Sequence, residues 1–194
     1  MKRTLILVRH CQSDWNAVKR LSGQDNTARL TDQGRMQAYA LANTLSHVES
    51  SKVIFSSDLT RTLETSAILS EILSAQILVD RRFREVGLGD LDGKTREEVH
   101  ALPNGEQHLA SLREDNYDFT AYRGENRDMV LLRHLKGIEG IFTRLEGRFG
   151  RIADSIDIIV VGHGSALRTL LNHYKPASKL HEQGGYDLVE LPDA

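Results

Sequence analysis

Between Asp157 and Tyr174 the hydrophobic rhythm of the chain changes once, and that change limits what it can build. Asp157-Ile158-Ile159-Val160-Val161 is the strongest strand signal present; it ends in Gly162-His163-Gly164-Ser165 and gives way to a helical run from Ala166 to Tyr174. A short branched apolar run of this kind reads as a strand buried on both faces, as in a parallel sheet. Thr4 to Val8 reads the same way, Lys52 to Ser56 and Gln76 to Val79 read as two further short strands, and Tyr186 to Leu191 reads as one more. Helical patterns lie between them. About 32–47 is a helix capped by Thr31 or Asp32, with Met36, Tyr39, Ala40, Leu41 and Leu45 at helical spacing. A second helix is capped by Ser57 or Asp58 and carries Leu59, Leu63, Ala67, Ile68 and Ile72 on one face, and a long pattern runs from Val130 to Phe149. Strands alternating with helices predict βαβ units, hence an α/β fold: a three-layer α/β/α sandwich around a mostly parallel central sheet.

At 194 residues the chain fits one domain, 1–194. No linker or repeat divides it. The stretch from about 94 to 126 is highly charged and poorly periodic, and is taken as an insertion, or lid, covering the active edge. With 25 basic against 27 acidic residues, the charge balance argues against a general nucleic-acid binder. A single cysteine, Cys11, excludes a disulfide-stapled domain. The apolar run Leu5 to Val8 is shorter than the roughly 7–15 residues of a signal core, and no stretch approaches the roughly 20 apolar residues of a spanning helix. The chain therefore reads as soluble and cytoplasmic, with no membrane partner; a homodimer is left open.

Ligands of such sheets bind beyond the carboxyl ends of the strands. Arg9 and His10 follow the first strand, Ser57, Asp58 and Arg61 the second, and His163 the strongest. Two arginines suit phosphate oxygens, an imidazole can attack a phosphoryl group, and the helix opening at Gly164 and Ser165 adds amide donors for an anion. Each residue alone has an ordinary reading: a surface loop, a solvated helix arginine, a tight turn. Their joint placement at strand ends is what points to a phosphate pocket around a reactive imidazole. Other chemistries fail on spacing. The residue six after Cys11 is Ala17, so no Cys-x5-Arg loop exists; Gly164 occupies the centre of the only elbow-like turn, where a serine hydrolase needs Ser; and no Gly-Lys-Ser/Thr follows a strand.

Arg9-His10-Cys11-Gln12-Ser13-Asp14-Trp15-Asn16 resembles the Arg-His-Gly-Glu-Thr-x-x-Asn signature of the histidine phosphatase superfamily, in its phosphoglycerate-mutase-like branch (branch 1). The resemblance continues in order through Leu30-Thr31-Asp32-Gln33-Gly34, Ser56 to Thr62 with Thr65, Phe83-Arg84-Glu85 with Gly89 and Gly93, Gly124-Glu125-Asn126, and Val160 to Gly164. It implies a phosphoglycerate mutase-like fold and a role for each matching residue. His10 becomes phosphohistidine; Arg9, Arg61, His163, Asn16 and the backbone at Gly164 hold the phosphoryl group. Glu85 protonates the leaving oxygen and then activates water, a role that burial or nearby negative charge would favour. Cations around the equatorial oxygens are the main device of such a transfer. No metal and no cofactor is implied.

The chain departs from the signature at Cys11, where the family has Gly, and at Gln12, where it often has Glu. The first touches the tightness of the loop and offers a thiol beside an anion site, with an inert buried thiol as the ordinary reading; the second removes a charge and is expected to alter rate or pH dependence. The interval from Glu85 to His163 is short for a mutase and holds no Arg-Arg pair, so phosphatase is the favoured reading, acting on a small phosphorylated metabolite. Arg113, Arg123 and Arg127 are the candidates for gripping the rest of the substrate. The alternatives are a phosphoglycerate mutase-type phosphotransferase, a protein phosphohistidine phosphatase and a non-catalytic phosphate binder.

Overall fold

The computed structural model describes residues 2–46, 53–149, 155–176 and 182–191. The elements run in the order β1 (Lys2–Arg9), α1 (Asp14–Ala17), α2 (Asp32–Leu45), β2 (Val53–Ser56), α3 (Thr60–Leu73), β3 (Gln76–Val79), α4 (Arg96–His100), α5 (Gly105–Glu114), α6 (Arg127–Phe149), β4 (Ser155–Gly162), α7 (Gly164–Tyr174) and β5 (Tyr186–Leu191). Lys52 and His47, the outer residues of two predicted elements, lie outside the described residues.

The five strands form one sheet in the order β3-β2-β4-β1-β5. All neighbours are parallel except β5, which closes the far edge antiparallel to β1. Alternating side chains bury both faces, as the period of a strand requires. Leu5, Leu7, Phe55, Ile158 and Val160 pack with Ile138, Ile141 and Leu145 of α6 and Leu167, Leu170 and Leu171 of α7. Ile6, Val8, Ile54, Ile159 and Val161 pack on the other face with Leu41, Ala42 and Leu45 of α2 and Leu69 of α3. This is the predicted three-layer sandwich.

Two local expectations fail. The cap of α3 is Leu59, with no side-chain cap hydrogen bond. Neither Ser57 nor Asp58 serves, because Ser57 Oγ meets His163 and the Asp58 carboxylate accepts two bonds from Arg84, at 2.7 and 2.6 Å. The charged stretch 94–126 is more ordered than its pattern predicts. It holds α4, with a Thr95/Glu98 capping box, and α5. A small third core of Val86, Leu88, Leu91, Tyr117, Phe119 and Val130 joins it to Ala166 of α7. Poor periodicity follows from the small size of that core, which needs few apolar residues from each short helix.

Candidate active site

Register places the chemistry. Arg9 pairs with Gly162 across the β1–β4 ladder, and the ladder runs one residue further because His10 N–H donates to Gly162 O at 3.0 Å. Ser57 N–H donates to Val161 O at 3.0 Å in the same way. His10, Ser57 and His163 therefore leave three adjacent strands at one level.

His10 is 3% exposed, and its Nδ1 lies 2.8 Å from Cys11 O. A carbonyl only accepts, so Nδ1 carries the proton and Nε2 keeps its lone pair. Burial, then Arg61 and Arg9, push the imidazole well below its usual range and hold it neutral. His163 Nε2 lies 2.9 Å from Ser57 Oγ. Its ring packs edge-on to His10 with centroids 5.2 Å apart, and burial followed by Arg61 keeps it neutral too.

Arg61 is 1% exposed. Its Nη1 donates to Asp25 O at 2.9 Å and its Nη2 to Gly23 O at 2.8 Å, while Nε has no partner. Burial pulls its pKa down to about 10, so it remains a cation at neutral pH. Arg9 Nε is likewise buried without a partner. The Arg9 guanidinium lies over Gly164, where a Cβ would stand 3.0 Å from Arg9 Cζ and Nε.

Glu85 enters from an irregular segment and is half-buried. Its Oε1 accepts from the amides of Val86 and Ala166, both at 2.9 Å, and its Oε2 from Ser165 N–H at 3.2 Å. It thus sits at the N-terminus of α7. Asn16 accepts through Oδ1 from Ser13 N–H at 3.2 Å and Ser13 Oγ at 2.9 Å, the capping box of α1. That orientation leaves the amide NH2 as its donor end.

Arg9, His10, Asn16, Arg61, Glu85 and Gly164 all line one cavity of about 300 Å³. His163 is fully buried with its ring edge-on to His10 and does not itself line the cavity. The grip predicted from the charged segment is not there. Arg113 pairs with Glu106, Arg123 with Asp90 and Arg127 with Asp115, and none of the three reaches the cavity. The cations in its walls are instead Lys19, Arg20, Arg96 and Arg168. Ser22, read only as part of a loop, also lines it, with Oγ buried and unpartnered. Lys19, Arg20 and Ser22 lie in the loop after Asn16, whose composition alone says nothing of where it folds, while Arg96 and Arg168 ride on α4 and α7.

Both departures from the signature turn away from the cavity. Cys11 packs among Leu30, Ala38 and Ile68, and burial pushes its thiol up to about 11. Gln12 Oε1 accepts from Thr31 Oγ1 at 2.8 Å, at the start of α2. Among the described residues, no group of three His, Cys, Asp or Glu side chains converges as a metal site, and no helix is long and apolar enough to cross a membrane.

The family model of the histidine phosphatase superfamily (branch 1) matches residues 5–184. A glucosyl-3-phosphoglycerate phosphatase from Mycolicibacterium vanbaalenii is 34% identical over 168 residues, covering 87% of this chain and 72% of that protein. Phosphoglycerate mutase-like protein 4 from Arabidopsis thaliana is 28% identical over 183 residues, covering 92% and 74%. The solved structure of a mycobacterial glucosyl-3-phosphoglycerate phosphatase in complex with VO3 superposes with a TM-score of 0.81 at 27% identity, over 96% of this chain and 90% of that one.

Proposed function

The chain belongs to the histidine phosphatase superfamily, branch 1, and we propose that it hydrolyses phosphomonoesters of small metabolites through a phosphohistidine on His10. The observation that carries this reading is the His10 ring itself. Its Nδ1 proton is bound by Cys11 O, and it lies beside two arginines whose Nε donors are unpartnered. His10 Nε2 attacks phosphorus, the P–O ester bond breaks, and Glu85 gives its proton to the departing oxygen. Glu85 then takes a proton from water as that water attacks phosphorus; the P–N bond breaks and inorganic phosphate leaves. Arg9, Arg61, Asn16 and the Gly164 backbone hold the equatorial oxygens, where the transition-state charge resides. His163 supports the pocket with its ring edge-on to His10.

The four cations at Lys19, Arg20, Arg96 and Arg168 suit a substrate that carries a second anionic group, such as a carboxylate. Arg168 is held there, its Nη1 donating to Leu112 O at 2.9 Å. Segment 94–126 supplies Arg96, Leu109 and Leu112 to the wall, which favours its reading as the cover of the cleft. A mutase-type transfer shares the phosphoenzyme, and mutase-like names occur among the relatives; the acceptor decides between the two.

The test is hydrolysis of p-nitrophenyl phosphate and of a panel of metabolite esters in EDTA, wild type beside His10→Ala. Turnover that disappears in the variant, with an acid-labile phosphoenzyme trapped in the wild type, is the expected result. Undiminished turnover in His10→Ala would remove the proposed nucleophile. Phosphate moved between hydroxyls of one substrate instead of released to water would make the protein a mutase.

A further inference from the structure

Glu85 lies outside any strand or helix, just after the 3-10 turn Arg81–Phe83, so no regular ladder fixes its backbone. A reacting carboxyl needs placement to well under an ångström. The support comes from α6. Arg133 Nη1 donates to the carbonyls of Arg82 and Arg84 at 2.9 and 2.7 Å, and Nη2 donates to the carbonyl of Glu85 itself at 2.8 Å. Its Nε and Nη2 also meet the two oxygens of Glu125, at 2.8 and 2.9 Å. Glu125 Oε2 reaches past Glu85 to accept from Gly87 N–H at 2.9 Å and from Gln24 Nε2 at 3.1 Å. Gln24 Nε2 donates in turn to Glu85 O at 3.1 Å. Peptides on both sides of Glu85 are thereby held by one cluster, and none of its three side chains lines the cavity.

We infer that Arg133, with Glu125 and Gln24, positions Glu85 for proton transfer to the leaving oxygen; the inference rests on Glu85 being the acid of the proposed reaction. Only a planar guanidinium presents donors to three carbonyls and a carboxylate at once. A lysine keeps the charge but offers a compact head with three donors, so Arg133→Lys loosens the clamp without emptying it.

The test compares kcat/KM for two esters, because that ratio reports events up to departure of the leaving group. p-Nitrophenolate leaves as a stable anion and needs little acid assistance, whereas an alkoxide needs a proton. Arg133→Lys is expected to lower kcat/KM for an alkyl phosphate roughly 10- to 100-fold, and for p-nitrophenyl phosphate by less than about threefold. Glu85→Gln is expected to show the same selectivity on a larger scale, of order 10²-fold or more. Adding Arg133→Lys to Glu85→Gln is expected to cost nothing further on the alkyl ester, since two groups acting as one unit are not additive. Gln24→Ala, which removes only two hydrogen bonds, is expected to shift the ester preference in the same direction and serves if Arg133→Lys fails to fold. Equal losses on both esters in Arg133→Lys, or in Gln24→Ala when that variant stands in, would reduce the cluster to a structural role. So would a full further loss in the double variant. Glu85→Gln with no ester preference would overturn the acid assignment and the clamp together, a result that needs no Arg133 variant to read.

Discussion

The His10 ring is fixed by one hydrogen bond and kept neutral by its surroundings, and this has a measurable pH signature. A histidine held well below 6.5 stays unprotonated as the pH falls from about 7 to about 5. The acid side of the kcat/KM profile should therefore show no imidazole inflection near 6.5, and the His10 ring protons should not titrate there by NMR. A His10 resonance moving through that range would contradict the arrangement. Cys11 gives a second prediction at this scale. With its thiol raised to about 11 and its side chain 0% exposed, it should resist alkylation at neutral pH in the native protein and react only on unfolding. Rapid native labelling, protected by phosphate, would make it part of the site. Arg9, His10, Arg61 and His163 were legible in the sequence because each follows a strand closely and strand ends converge. Ser22 and Arg168 were not. One rides on a loop whose path depends on Arg61 binding its carbonyls, and the other is a helix arginine whose direction is set by Leu112 of a distant segment.

At the scale of the elements, close approaches between segments fix where the site residues point. A Cβ on Gly34 would lie 2.0 Å from the backbone oxygen of Gln12, so α2 packs against the His10 loop only because residue 34 has no side chain. Gly34→Ala should destabilise the fold by about 1–3 kcal/mol, the usual cost of overpacking, measured by denaturant unfolding. Gly164→Ala is a different experiment, since its Cβ would meet the end of the Arg9 side chain instead of backbone. It should lower kcat/KM roughly tenfold or more while moving the unfolding midpoint little; a large stability loss with normal activity would refute that division. β1, β4, α2, α6 and α7 were readable because each is long or strongly patterned. The α3 cap was misread because Ser57 and Asp58 look like capping residues, yet each is drawn away by a partner far along the chain. The short helices α4 and α5 escaped notice because a core as small as that of Val86, Tyr117 and Phe119 imposes little periodicity on them.

At the scale of the whole molecule, three neutral histidines among the described residues are buried together with the core, His10, His134 and His163, with His134 lowered to about 3. Below the unfolded value near 6.5, the unfolded chain takes up protons that these rings refuse, so stability falls as the pH drops. Each ring adds up to ~1.4 kcal/mol per pH unit to that slope. Acidification from about pH 7 to about pH 5 should therefore lower the melting temperature, and His134→Leu, remote from the cavity wall, should flatten the slope. An unchanged slope would show that His134 is not neutral in the fold. The fold class and most of the pocket floor were legible because a parallel sheet writes itself as buried runs with reactive residues at their ends. The pocket walls were not, because they are assembled from side chains on loops and helices whose neighbours are distant in sequence. That difference separates two kinds of inheritance. The spacing of His10 from His163 is the spacing of two hydrogen-bonded strands, so it is shared by any chain that keeps the β1–β4 ladder. Segment 94–126 adds Arg96, Leu109 and Leu112 to the cavity wall from outside that ladder, so those side chains can change without moving either histidine.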